Sequence, residues 1–180
     1  MSSTEYQVDR RELHFVVNET LQAGKLCEFP DFAEFDEEMF TMIINEASTF
    51  AEQVLAPLNV NGDRQGCRIE NGAVVTPDGF TDAWKQLGEG GWLSMSLPPE
   101  FGGQGIPEVI AVIGKETQLA ANQGFTIGAS LTTGAANLIY TFGSDLQKNE
   151  FCQNMFSGKW AGTMCLTEPH AGSAVGDVIT

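Results

Sequence analysis

Phe40-Thr41-Met42-Ile43-Ile44-Asn45-Glu46-Ala47-Ser48-Thr49-Phe50-Ala51-Glu52-Gln53-Val54-Leu55 repeats its apolar residues at i, i+3, i+4 and i+7. Phe40, Ile43, Ile44, Ala47, Phe50, Ala51, Val54 and Leu55 therefore share one stripe of a 3.6-residue helix. Asp36 stands where an N-cap oxygen is needed, and Glu37 and Glu38 complement the positive end of the helix dipole. Pro57 lacks an amide proton and stops or kinks the helix. The stripe is core, and nothing in it calls for a ligand.

Upstream, residues 1–8 read as loose. Asp9 followed by Glu12 has the pattern of a capping box, and Leu13, Val16, Val17 and Leu21 repeat at helical spacing. This predicts a short helix to Ala23, ended near Gly24. Leu26 to Phe35, broken by Pro30 and rich in Phe, reads as an arm packed on the main body.

Downstream, Asn59 to Gly79 reads as loop, with Asn71-Gly72 turning a small hairpin between Ile69 and Val74-Val75. Phe80, Trp84 and Leu87 mark a short helix ended by Gly88. The GEGG and GGQG runs between Glu89 and Gly105 read as structural turns. No Lys-Ser/Thr follows them, and no strand-loop-helix unit carries GxGxxG. Pro107 opens a further helix to Ala121, with Ile110, Val112, Ile113 and Leu119 as core candidates. Phe125 to Phe142, rich in small residues, reads as a buried helix. Ser144 caps the last one, with Leu146, Phe151, Met155 and Phe156 inward and Gly158 at its end.

Helical spacing stops at Lys159. The fold class expected is mainly α: an N-terminal helical bundle domain followed by the first strand of a truncated β domain. Residues 1–35 form an extension, 36–158 the bundle and 159–180 the opening of the second domain. About 20 residues are too few for an independent sheet domain.

The 180 residues carry 24 acids against 9 bases, a formal charge of −15. That field excludes a nucleic-acid surface. Cys27, Cys67, Cys152 and Cys165 form no CxxC pair and no Cys/His ligand spacing, so no metal site is expected and reduced thiols are. With no apolar leader and no run of the roughly 18 residues a membrane span needs, the reading is cytoplasmic, without a membrane span.

The boundary stretch runs Lys159-Trp160-Ala161-Gly162-Thr163-Met164-Cys165-Leu166-Thr167-Glu168-Pro169-His170-Ala171-Gly172-Ser173. It begins as strand-like sequence and ends in a loop. Pro169 holds Glu168 extended, and Ala171, Gly172 and Ser173 let other atoms approach the main chain. Two hydroxyls and nearby backbone amides suit a ligand with a heterocycle at one end and phosphates at the other.

Met164 to Ser173 resembles the flavin-binding signature of the acyl-CoA dehydrogenase family. Trp92 to Gly105, Gly134-Ala135-Ala136 and Gly143 to Lys148 are similar to that family as well, so the likeness covers roughly residues 36–180. The opening segment resembles the extension of its larger bacterial members. The resemblance implies FAD as cofactor and oxidation of an acyl-CoA to its 2,3-enoyl-CoA, with electrons passed to an electron-transfer flavoprotein. It also implies a homo-oligomer. Carried onto this chain, Leu166 and Thr167 would present amides and a hydroxyl to the flavin ring, and Met164 would pack beside it. Gly172 and Ser173 would sit at the pyrophosphate, with Ser173 also near the substrate. Glu168, fixed before Pro169, is not the catalytic base. The resemblance places that base in a later helical domain, so no catalytic residue is expected here and the chain alone should lack turnover. Ala174 stands where the family usually has Asp. The alternative is a non-catalytic helical module completed by a partner polypeptide.

Overall fold

The Asp36 carboxylate accepts the Met39 N–H at 2.7 Å, and the helix it caps, α2 (Glu37–Phe50), forms the spine of the fold. The computed structural model describes residues 6–179. Helix α2 runs through a wider π-helical turn, Ala51–Leu55, into α3 (Ala56–Gln65). That turn shifts the hydrogen-bond ladder by one residue just ahead of Pro57. The proline's missing donor is thereby absorbed in the first turn of α3. The loop expected from Asn59 thus begins only after Gln65.

Before the spine, α1 (Arg10–His14) continues as a π-helical turn to Thr20, and the arm follows as 3-10 turns at Ala23–Glu28 and Pro30–Phe32. Asp9 accepts the Glu12 N–H, as its spacing implies. The described part of the opening is tied down, contrary to a loose reading. The Tyr6 hydroxyl donates to Thr117 O at 2.7 Å, and the Val8 N–H donates to the Glu52 carboxylate at 2.7 Å. Residues 1–5 lie outside the described residues.

The hairpin forms as β1 (Arg68–Glu70) and β2 (Ala73–Val75), antiparallel with Ile69 opposite Val74. Asn71 and Gly72 turn it at φ 53° and 79°, the left-handed pair that a two-residue turn of this hand requires. Helix α4 (Phe80–Glu89) passes through Gly88, which is a packing glycine: a Cβ there would collide with the Ser157 carbonyl. Helices α5 (Glu108–Ala121) and α6 (Gln123–Phe142) follow, and α7 (Asp145–Gln147) runs through another π-helical turn into α8 (Gln153–Phe156). Pro107 is the residue before α5, not its first turn. Ser144 and Gln147 form a reciprocal capping box.

Three apolar clusters hold these elements. Val17 and Ala23 of the opening segment join Phe40, Ile44, Met95 and Ile110. Leu55, Leu87, Leu93 and Phe125 form the second cluster, and Leu97, Ala136, Cys152, Met155 and Phe156 the third. Some expected core positions are not core. Val112 and Leu119 are exposed, because α5 turns Ile110, Ala111, Gly114, Thr117, Gln118 and Ala121 inward instead. Leu146 and Phe151 are exposed as well, and Cys152 takes the inward place. Helix α6 is only half buried.

The mainly helical class holds. From Lys159 the chain runs without a strand, because a ladder needs a hydrogen-bonded neighbour and the described residues offer none.

Candidate functional site

The segment after α8 is anchored to α6 before it becomes a loop. The Trp160 N–H donates to Asn154 O at 3.0 Å, and its ring lies 5.7 Å from that of Phe151. At Gly162 the backbone meets α6 directly, donating its N–H to Thr132 Oγ1 at 3.1 Å. A Cβ on Gly162 would stand 2.6 Å from Ala135 Cβ and 2.8 Å from Met155 Cε. Only glycine lets the chain cross the helix here, because the small residues of α6 have already brought the two backbones together. Thr132 is buried and donates in turn to Gly128 O, so its hydroxyl both accepts and donates.

Beyond Gly162 the chain lifts off the bundle. Met164, Cys165, Leu166 and Thr167 are exposed, Met164 by 64%, and their four backbone amides have no hydrogen-bond partner among the described residues. A tight turn follows: Glu168 and Ala171 exchange backbone bonds of 2.9 and 3.1 Å, with Pro169 and His170 at its tip. The turn uses both amides that flank it and buries Ala171. Gly172 and Ser173 emerge exposed, and nothing lies within 4 Å of a Cβ built on Gly172. The five sequence candidates, Met164, Leu166, Thr167, Gly172 and Ser173, thus lie on both sides of one short turn. The donor set consists of unpaired amides and two hydroxyls flanked by exposed apolar side chains. Its chemistry fits a heterocycle edge and a pyrophosphate.

Next to this loop, α6 carries no charged residue over 20 positions. Ile127, Leu131, Gly134, Leu138 and Phe142 recur at helical spacing, and Ile127, Leu138 and Phe142 are exposed by 54, 61 and 79%. The reading of α6 as a buried helix missed this face, although its lack of charge is visible in the sequence. A cavity of about 230 Å³ lies between α5 and α6, with Trp92, Leu93, Gln118, Ser130 and Thr133 in its wall. Sequence reasoning missed Gln118, a polar residue on the inward face of α5, because the periodicity was read through apolar residues alone. A larger groove of about 510 Å³ lies beside α2, lined by Met42, Phe50, Trp92 and Ile106.

Two Arg10 nitrogens donate to Glu52 at 2.8 and 2.9 Å, and this bidentate hydrogen bonding holds the Glu52 carboxyl below the ordinary carboxylate range. Burial, helped by the charges of Glu52 and Glu116, pushes the Tyr6 phenol up. Burial also raises the Cys152 thiol, offset in part by Lys148. Among the described residues no cluster of three metal-ligating side chains occurs, and no helix is long and apolar enough to cross a membrane.

Residues 37–159 match the family model for the acyl-CoA dehydrogenase N-terminal domain. The chain is 35% identical over 168 residues to 3-methylmercaptopropionyl-CoA dehydrogenase of Ruegeria pomeroyi, covering 93% of this chain and 29% of that protein. It is 32% identical over 190 residues to a butyryl-CoA dehydrogenase of Syntrophomonas wolfei, covering all of this chain and 30% of the relative. In structure it superposes on an acyl-CoA dehydrogenase complexed with FAD from Bacillus anthracis with a TM-score of 0.63. That match has 24% identity and covers 81% of this chain and 23% of the other, a likeness of fold. The chain spans less than a third of the length of these curated relatives.

Proposed function

The chain belongs to the acyl-CoA dehydrogenase family, and on that premise we propose that it is the N-terminal part of an FAD-dependent acyl-CoA dehydrogenase. The reaction would be oxidation of an acyl-CoA thioester to the 2,3-enoyl-CoA. Residues 1–35 are the extension, 36–158 the helical domain and 159–180 the opening of the flavin-holding domain. The protein works in the cytoplasm as a homo-oligomer, and an electron-transfer flavoprotein takes up its electrons.

The observation that carries this reading is the run of amides from Met164 to Thr167, without a partner among the described residues, that follows the crossing of Gly162 over the uncharged helix α6. FAD, when bound, supplies the hydride acceptor. The chain's own part is binding and orientation. Leu166 and Thr167 would donate to the edge of the ring, Met164 would cover it, and Gly172 and Ser173 would meet the pyrophosphate. Gly162 and Thr132 fix the start of this loop to α6. With a charge of −15, contacts to the phosphates of coenzyme A fall to helix N-termini or to residues beyond these. The base that removes the α-proton is not assigned to this chain, which alone gives no turnover.

A footprint tests the reading. Cys165 lies inside the loop and Cys67 far from it in sequence, and both are exposed. FAD should slow labelling of Cys165 by a maleimide while Cys67 is unaffected, and Thr167→Ala with Ser173→Ala should remove the protection. Equal labelling with and without FAD would refute the flavin reading. Flavin bleaching on addition of butyryl-CoA would refute the statement that the base lies elsewhere. The unpartnered α6 face also supports a second reading, a non-catalytic helical module completed by a partner polypeptide. Under that reading FAD leaves Cys165 unprotected and a second polypeptide covers Leu138 and Phe142.

A further inference from the structure

The β1–β2 hairpin takes no part in the loop after Gly162. Among the described residues, nothing lies within 4 Å of a Cβ built on Gly66, just ahead of β1, or on Gly72 in the turn. Ile69 is 78% exposed, and Val74 opposite it 70%. A two-stranded ribbon is marginally stable at best in water, and further strands are what it lacks.

The register decides which backbone groups are free. Glu70 and Ala73 flank the two-residue turn as a hydrogen-bonded pair, so Ile69 and Val74, the next pair, exchange no bonds. The Ile69 N–H and C=O therefore point to the open edge of β1, and they find no partner outside the hairpin among the described residues. Arg68 and Glu70 lie on the face opposite Ile69, ion-paired to each other along the strand and about half exposed. Such an edge is a template for another strand. Arg-Ile-Glu is its own complement when a second copy runs the other way. With Ile69 opposite the copy's Ile69, each Arg68 falls opposite a Glu70.

We propose that β1 is a contact between two copies of this chain, paired antiparallel about Ile69 into a four-stranded sheet ordered β2–β1–β1–β2. The axis is two-fold and the contact isologous. The two Ile69 residues exchange both backbone bonds. On one face Val74, Ile69 and their counterparts form a continuous β-branched row. On the other, each Arg68 has one Glu70 beside it on its own strand and a second across the axis. The edge of β2 sets no register of this kind, because Ala73, Val74 and Val75 carry no charge. This contact is independent of the flavin and acyl-CoA readings, and it adds one edge and one register to the homo-oligomer proposed with them.

Sedimentation equilibrium of the 180-residue chain tests it, at about 0.15 M salt so that distant charges are screened. The apparent mass should rise with concentration toward twice the monomer. Exchange of the Ile69 amide with solvent should slow in parallel. Arg68→Glu puts Glu opposite Glu, and Glu70→Arg puts Arg opposite Arg. Each should weaken the dimer about tenfold, although the two move the net charge in opposite directions. The double variant Arg68→Glu with Glu70→Arg restores the complement and should recover wild-type association. An equimolar mixture of the two single variants should form a mixed dimer, since Glu-Ile-Glu meets Arg-Ile-Arg. Ile69→Pro removes only the outward N–H, a position where an edge strand tolerates proline, and should abolish the dimer with the hairpin intact. A wild-type chain still monomeric at about 1 mM overturns the proposal. So does a dimer indifferent to both single swaps, which is what association through the α6 strip would give. A double variant no better than its parents overturns the register.

Discussion

Replacing Gly162 by alanine tests whether the crossing at α6 is as close as the geometry says. The new Cβ would lie 2.6 Å from Ala135 Cβ, 2.8 Å from Met155 Cε and 3.4 Å from Thr132 Cα. The Met155 thioether end can swing aside. The Ala135 methyl and the backbone of Thr132 belong to a 20-residue helix and cannot. Overpacking of this kind costs about 1–3 kcal/mol. The displaced backbone also gives up the Gly162 N–H bond to Thr132 Oγ1, worth about 1 kcal/mol. A total of about 2–4 kcal/mol is expected, which for a chain of this size lowers Tm by about 4–16 °C. Urea unfolding and a thermal melt would measure it. Ala135→Gly supplies the internal control. Alone it costs about 1 kcal/mol as a glycine in a helix, but it removes the worst contact. In the double variant the two effects should fall short of additivity by about 1 kcal/mol. A loss below about 0.5 kcal/mol for Gly162→Ala, or strict additivity in the pair, would falsify the close crossing and with it the fixed start of the loop.

Three other outcomes follow from the packing. Asn122 is 2% exposed, caps α6 through the Phe125 N–H at 3.1 Å and donates to Leu55 O at 3.1 Å. Asn122→Ala should cost about 2–3 kcal/mol in urea unfolding, a lost cap plus a carbonyl left unpaired. Glu52 has a lowered folded pKa, caused first by its hydrogen bonds from Arg10, so its contribution is present above the ordinary carboxylate value of about 4.3. It is lost as pH falls through the lower folded value. With Arg10 about a third exposed, the pair contributes about 1 kcal/mol or less. The Tm difference between wild type and Glu52→Gln should therefore shrink to nothing on acidification; a difference that grows instead would contradict the assignment. Finally, Cys152 is fully buried with its thiol pushed up, whereas Cys67 and Cys165 are exposed. Ellman's reagent should find those two in the native state and reach Cys152 only as the chain unfolds.

The α2 stripe, the Asp36 and Ser144 caps and the Asn71-Gly72 turn were legible in the sequence because each is a local rule fulfilled locally. Pro57 was not, since whether a proline breaks a helix depends on what the preceding turn does, and here a π-helical turn absorbs it. Gly88 misled for a related reason: it is there for the Ser157 backbone across the bundle, not to end its own helix. The inward set of α5 was missed at Thr117 and Gln118, where polar residues occupy core positions that a periodicity count assigns to apolar ones. In the loop, the candidate residues could be named from their order. Their mutual freedom from internal hydrogen bonds could not, and neither could the seat of Gly162 on Thr132, 30 residues away.

The bare face of α6 has a colloidal consequence. Molecules carrying −15 hold one another off in dilute buffer, but the Debye length shrinks to about 10 Å at 0.1 M salt. Adding salt then removes the repulsion while leaving the greasy strip of Ile127, Leu138 and Phe142 as sticky as before. This chain should be most monodisperse where ionic strength is lowest.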